Sequence, residues 1–67
     1  MELEIFFEKS QKTEKISFSG KTVHDLLDQL NINPETVLVI RASEVITEDE
    51  RLANNNKLEI LSVISGG

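Results

Sequence analysis

The stretch Thr22-Val23-His24-Asp25-Leu26-Leu27-Asp28-Gln29-Leu30 decides how this chain folds. Val23, Leu26, Leu27 and Leu30 recur at i, i+3, i+4 and i+7, which is one apolar stripe on a short helix. His24, Asp25, Asp28 and Gln29 take the wet side. Thr22 suits the N-cap. Asp25, three residues on, completes an acidic variant of the capping box and complements the positive end of the helix dipole. Asn31 tolerates the left-handed conformation that ends a helix, and Pro34 prevents a restart.

Strands flank the helix on both sides. Before it, Leu3, Ile5 and Phe7 alternate with Glu2, Glu4, Phe6 and Glu8, the period of a half-buried strand. Residues 9–12 are polar and read as a hairpin turn. Ile16 and Phe18 then point inward while Lys15, Ser17 and Ser19 point outward, and Gly20-Lys21 ends the second strand. After the helix, Val37-Leu38-Val39-Ile40 is an apolar, largely β-branched run that predicts a strand buried on both faces. Arg41-Ala42-Ser43 turns the chain, and Val45-Ile46 makes a short strand. Residues 47–53 are polar and predict a helical turn anchored by Leu52. Asn54-Asn55-Asn56 is a turn built of residues that tolerate positive φ. Residues 57–63 form the last strand. The order β-β-α-β-β-β predicts an α+β fold with one helix packed on a mixed sheet. Residues 1–63 form one domain, and 64–67 form a flexible tail.

With 67 residues, the chain sits near the lower size limit for independent folding. It has no cysteine, so neither a disulfide nor a thiolate metal site is available. A lone His24 makes no metal site. The core must come from Val, Ile, Leu and Phe. There is no Trp or Tyr to stack nucleic-acid bases, and the net charge is −5, the opposite of a basic nucleic-acid footprint. The acidic balance suits a basic partner surface, although solubility alone also accounts for it. Met1-Glu2-Leu3-Glu4 lacks the features of a signal peptide, and the longest apolar run, Val37 to Ile40, is far too short to span a membrane. A soluble cytoplasmic protein is expected, with no membrane and no direct nucleic-acid partner.

Two of the chain's three glycines stand at its last two positions. Without Cβ, a Gly66-Gly67 end is thin and takes almost any φ, so it can thread a narrow tunnel in another protein. The terminal carboxylate, with a reference pKa of about 3.5, is ionised at neutral pH and can attack the α-phosphate of ATP. The mixed anhydride then accepts a sulfur or amine nucleophile. The plainer reading is a frayed chain end. The chain has no catalytic machinery for such a step. There is no phosphate-cradling loop, since Gly20 is the only glycine before the tail, and there is no thiol nucleophile. His24 beside Asp25 is no triad and reads as a solvated helix residue. Glu48-Asp49-Glu50 lacks the spaced ligands and turn glycine of a calcium loop and reads as a solvated loop. The chain is expected to be a carrier or substrate of enzymes, binding no cofactor itself, with ATP used by the partner. Arg41 and Arg51 read as solvated surface arginines, or else as partners for acids on an activating enzyme.

Phe6 is out of phase with Leu3, Ile5 and Phe7, and Leu61 and Val63 are out of phase with Leu58 and Ile60. If Leu58 and Ile60 face the helix, then Phe6, Leu61 and Val63 collect on the open face of the sheet. They would form a docking patch there, or be covered in part by loops.

The segment Thr22 to Leu30, then Val37 to Arg41, Glu44-Val45-Ile46, Asp49-Glu50-Arg51-Leu52 and the tail Val63-Ile64-Ser65-Gly66-Gly67 resemble, in order, the bacterial thiamine-pathway sulfur carrier family, ThiS. Its relatives include the molybdopterin-synthase small subunit, MoaD, and the archaeal small modifier proteins. The resemblance covers essentially the whole chain, and the tail is its most specific part. It implies a β-grasp, ubiquitin-like fold with the first and last strands parallel in the middle of the sheet. It implies adenylation of Gly67 by a ubiquitin-activating-type (ThiF/MoeB-like) adenylyltransferase. A sulfur donor, such as a cysteine desulfurase or sulfide, would then convert Gly67 to a thiocarboxylate that serves thiamine, molybdopterin or tRNA thiolation. In the modifier branch Gly67 would instead form an isopeptide with a lysine of a target protein. Gly66 would be the slim neighbour, with Ile64 and Ser65 positioning the tail in the partner. Many relatives have Asn-Gly between the middle strands and Asp-Gly before the last. Here Ala42-Ser43 and Asn55-Asn56 stand in those places, which leaves the turn types open.

Overall fold

The computed structural model describes residues 1–63. Its elements are β1 (Glu2–Phe7), β2 (Lys12–Ser17), α1 (Val23–Gln29), a 3-10 turn (Pro34–Thr36), β3 (Val37–Arg41), β4 (Glu44–Ile46) and β5 (Lys57–Ser62). The strands form one five-stranded sheet in the order β2-β1-β5-β3-β4. β1 and β5, first and last in sequence, pair in parallel, while β2, β3 and β4 join antiparallel. This is the β-grasp arrangement expected from the resemblance.

The helix starts as its sequence predicts. Thr22 Oγ1 accepts from the Asp25 N–H at 3.3 Å, and Asp25 Oδ2 accepts from the N–H groups of Lys21 (2.9 Å) and Thr22 (3.1 Å). The capping box is therefore complete. At the other end Asn31 takes a φ of 58°, which ends the helix as its side chain allows. Leu3 and Ile5 of β1, Leu58 and Ile60 of β5 and Val39 of β3 meet Val23, Leu26 and Leu27 of α1 in one buried cluster, closed by Phe18 and Leu52. Among the described residues no polar or charged side chain is buried.

Three expectations are corrected. The run Val37 to Ile40 is not buried on both faces: Val39 is buried but Leu38 is 40% exposed. β3 carries the helix on one side only, so its outward residues remain open. Residues 47–53 form no helix. Their backbone carbonyls are instead taken by α1: the Val23 N–H donates to Glu50 O and the His24 N–H to Glu48 O. These are orphan donors of a helix N-terminus, so the loop acts as a second cap. Leu52 still anchors it, 7% exposed. Arg41 is not a solvated arginine. It is half-buried, bonded to Glu50 Oε1 at 3.0 Å and to Arg51 O at 2.8 Å, and it holds this loop against β3. The 3-10 turn went unforeseen, although Asn33 at its cap and Pro34 at its first position are the residues such a start favours.

Candidate functional site

β5 is the middle strand of the sheet, so its end at Ser62 and Val63 lies between two neighbours. On one side Phe7 lies opposite Ile60, and the Glu8 N–H donates to Ile60 O at 3.1 Å. On the other side Val37 lies opposite Ser62, and the Val63 N–H donates to Thr36 O at 3.0 Å. Thr36 is fixed in turn by the capped 3-10 turn: its N–H and its hydroxyl both donate to Asn33 O, at 3.0 and 2.7 Å. Val63 is thus held at its backbone while its side chain is half exposed. Ile64, Ser65, Gly66 and Gly67, expected to carry the chemistry, lie outside the described residues.

The strand register sets the open face of the sheet. Leu58 and Ile60 are buried on the helix side, so Phe6, which pairs with Glu59, and Leu61, which pairs with Leu38, point to the other side. Val63 follows the same phase one step past β5. Sequence reasoning missed three further apolar residues of this face. Leu38 stands opposite Leu61, Ile40 opposite Glu59, and Val45 opposite Ile40. Val45 is 59% exposed. Their signal was masked because an uninterrupted apolar run shows no period of two. Charged residues border the patch, with Glu4 directly opposite both Lys15 and Lys57.

The three carboxylates of residues 48–50 are committed to separate tasks. Glu48 Oε1 lies 3.0 Å from His24 Nδ1, Asp49 accepts from the Thr47 hydroxyl, and Glu50 pairs with Arg41. The hydrogen bond to Glu48 holds the His24 proton and raises its pKa above the ordinary value, helped by the charges of Asp28 and Asp25. The Thr47 hydroxyl lowers that of Asp49. Among the described residues no group of three or more His, Asp or Glu is placed to hold a metal ion, and no helix is long and apolar enough to cross a membrane.

A family model described as the ThiS family matches residues 4–67, nearly the whole chain including its Gly-Gly end. The chain belongs to the ThiS family. Its relatives include the sulfur carrier protein TtuB of Thermus thermophilus, 38% identical over 48 residues, which covers 72% of this chain and 74% of TtuB. An uncharacterised protein of Archaeoglobus fulgidus is 34% identical over 57 residues, covering 85% and 84%. Among solved structures, SAMP1 of Haloferax volcanii superposes with a TM-score of 0.72 at 20% identity over the full length of both chains. A ubiquitin-like protein of the archaeon Caldiarchaeum subterraneum superposes with a TM-score of 0.63 at 13% identity, covering 98% of this chain and all of the other. At those identities the structural likeness speaks for the fold, and that fold is ubiquitin-like. This ThiS-family chain therefore joins a β-grasp domain to an end matched as part of the family pattern.

Proposed function

We propose that this chain is a sulfur carrier working through Gly67. The observation that carries the reading is that the family match runs through to residue 67, on a chain with no thiol of its own. The relative TtuB, a sulfur carrier by name, supports it. The Gly67 carboxylate attacks the α-phosphate of ATP in a ubiquitin-activating-type partner and expels pyrophosphate. A sulfur nucleophile then displaces AMP from the acyl-adenylate and leaves a thiocarboxylate. The partner supplies the catalysis, and this chain supplies a slim end on a firm base. Gly66 passes the tunnel, and Ile64 and Ser65 set the depth of insertion. The open face, with Phe6, Leu61 and Val63 now joined by Leu38, Ile40 and Val45, docks on the partner.

The test is intact mass after incubation with ATP, sulfide and a ThiF/MoeB-like enzyme. Replacement of one oxygen by sulfur, mapped by fragmentation to Gly67, is the expected result. A tail that stays a carboxylate, while Gly67 appears in amide linkage to lysines of other proteins, moves the assignment to protein modification. A chain lacking Gly66 and Gly67 that still performs its cellular task reduces the domain to a binding module.

A further inference from the structure

The sheet is unfinished at its β4 edge. β4 has three residues, and its last, Ile46, pairs with Val39. Val37 and Leu38 of β3 therefore have no β4 residue opposite them. Past Ile46 the chain leaves the sheet to cap α1, where the His24 N–H donates to Glu48 O. A slot of about 260 Å³ is left between the helix and this edge, lined by Val23 and Leu27 of α1, Pro34, Val37, Ile46 and Glu48. Val37 and Ile46 pack against the core but stay only partly covered. Leu38, 40% exposed, borders the slot where it meets the sheet edge.

The charge around the slot is acidic. Glu48 lines it, and Asp28, Glu35, Glu44 and Asp49 are each next in sequence to a lining residue. No lysine or arginine lines the slot or adjoins a lining residue. Asp28, Glu35 and Glu44 form no salt bridge with a described residue, and Glu48 has only the His24 ring. The lysines stand elsewhere. Lys12 and Lys15 lie on β2, at the opposite edge of the sheet, and Lys57 begins β5. An apolar floor under an acidic rim selects an occupant that is apolar at one point and basic around it.

We infer that this slot is a docking site for a basic segment of another protein. One large aliphatic side chain of that segment enters between α1 and the β3–β4 edge, and its lysines or arginines lie against Glu35 and Glu48. Burial of the anchor supplies most of the affinity, while the charges speed the approach and fix the orientation. A nucleic acid or an anionic lipid is the wrong occupant, because its phosphates would meet like charge. Docking here needs no chemistry at Gly67. A chain held by this edge still presents Phe6 and Leu61 on its open face, so two proteins can hold the domain at once.

The test titrates the 15N-labelled full chain with a capped pentapeptide, one leucine between two pairs of lysines, in about 50 mM salt, where charge attraction is only partly screened. Amide shifts should cluster on Val23, Leu27, Val37, Ile46 and Glu48. Replacing the peptide's leucine by serine should weaken binding about tenfold. Glu35→Lys, at an exposed position, should weaken it about threefold with an unchanged urea midpoint. Glu2→Lys makes the same change of charge on β1 and should leave binding as it was. An absence of shifts, shifts centred on Phe6 and Leu61, equal binding of the serine peptide, or equal losses in the Glu35 and Glu2 variants would each overturn the assignment. Slot shifts that grow with protein concentration in the absence of peptide would overturn it too, and would give the slot to a second copy of this chain.

Discussion

Gly20 has no room for a side chain. A Cβ built there would stand 2.5 Å from the Asp25 Cβ and 2.8 Å from two atoms of the Phe18 ring. The glycine is therefore required by close approach of the backbone to the helix cap and to a core aromatic. Gly20→Ala should lower stability by about 1–3 kcal/mol, read as a shift in the urea midpoint with unchanged slope. Protonation acts at the same scale. Backbone N–H groups of Lys21 and Thr22 stabilise the Asp25 carboxylate and hold its pKa below the ordinary 3.8. That stabilisation is present above the unfolded value and is lost as pH falls through the folded one, so Asp25→Asn should flatten the acid limb of the stability curve. His24 has the opposite sign. Its pKa is raised above 6.5, chiefly by Glu48, so its contribution is complete below about pH 6.5 and fades as pH rises through the folded value. His24→Gln should remove that alkaline loss, as followed by urea melts at several pH values. All three residues lie in or beside α1, whose cap, stripe and stop could be read directly from residue type, because they depend on neighbours within four positions.

The β3–β4 hairpin is the element under most local strain. Ala42 and Ser43 have φ of 53° and 67°, and Arg41 pairs with Glu44 across them. Positive φ at both central positions is the mark of a type I′ turn, which favours Asn-Gly. The turn geometry is thus that of an Asn-Gly hairpin, carried by residues that adopt it reluctantly. Ser43→Gly should raise stability by about 0.5 kcal/mol, and Ala42→Asn should act in the same direction; thermal melting checks both. The other prominent turn uses better chemistry, with Asn55 at φ 68°. Legibility differed between elements for a physical reason. β1 and β5 alternate, so their phase and their inward residues followed from period two. β3 is apolar throughout, and only its partners could tell which side was covered. The loop of residues 47–53 is polar throughout, and that polarity carries no record of the distant helix end that its carbonyls cap. The burial of Arg41 is equally illegible locally, since the loop that claims it lies nine or more residues away in sequence.

For the whole molecule, one side of the sheet builds the core and the other is left free. Leu38, Val45 and Val63 are all exposed by 40% or more, so apolar area there contributes little to folding and is available for a partner. Phe6→Ser and Leu61→Ser should change folding stability by about 1 kcal/mol or less. Each should raise the KM for ATP-driven activation of Gly67 about tenfold with little change in kcat, measured as AMP release in the presence of the activating enzyme. Half of this face could be inferred from Phe6, Leu61 and Val63 being out of phase. The other half needed the pairings of β3 with β5 and of β4 with β3.

The parallel pairing of the first and last strands also governs how the domain bears load. A tug on the chain end runs into β5, which is flanked by β1 on one side and β3 on the other. Because the force lies along the strand, the hydrogen bonds on both flanks are sheared together, whereas an edge strand would peel away bond by bond. β1, flanked by β2 and β5, meets a pull along its axis in the same way, so both the first and the last strand resist as shear. Under the function proposed above, the domain would act as a stiff handle for whatever draws on its last strand.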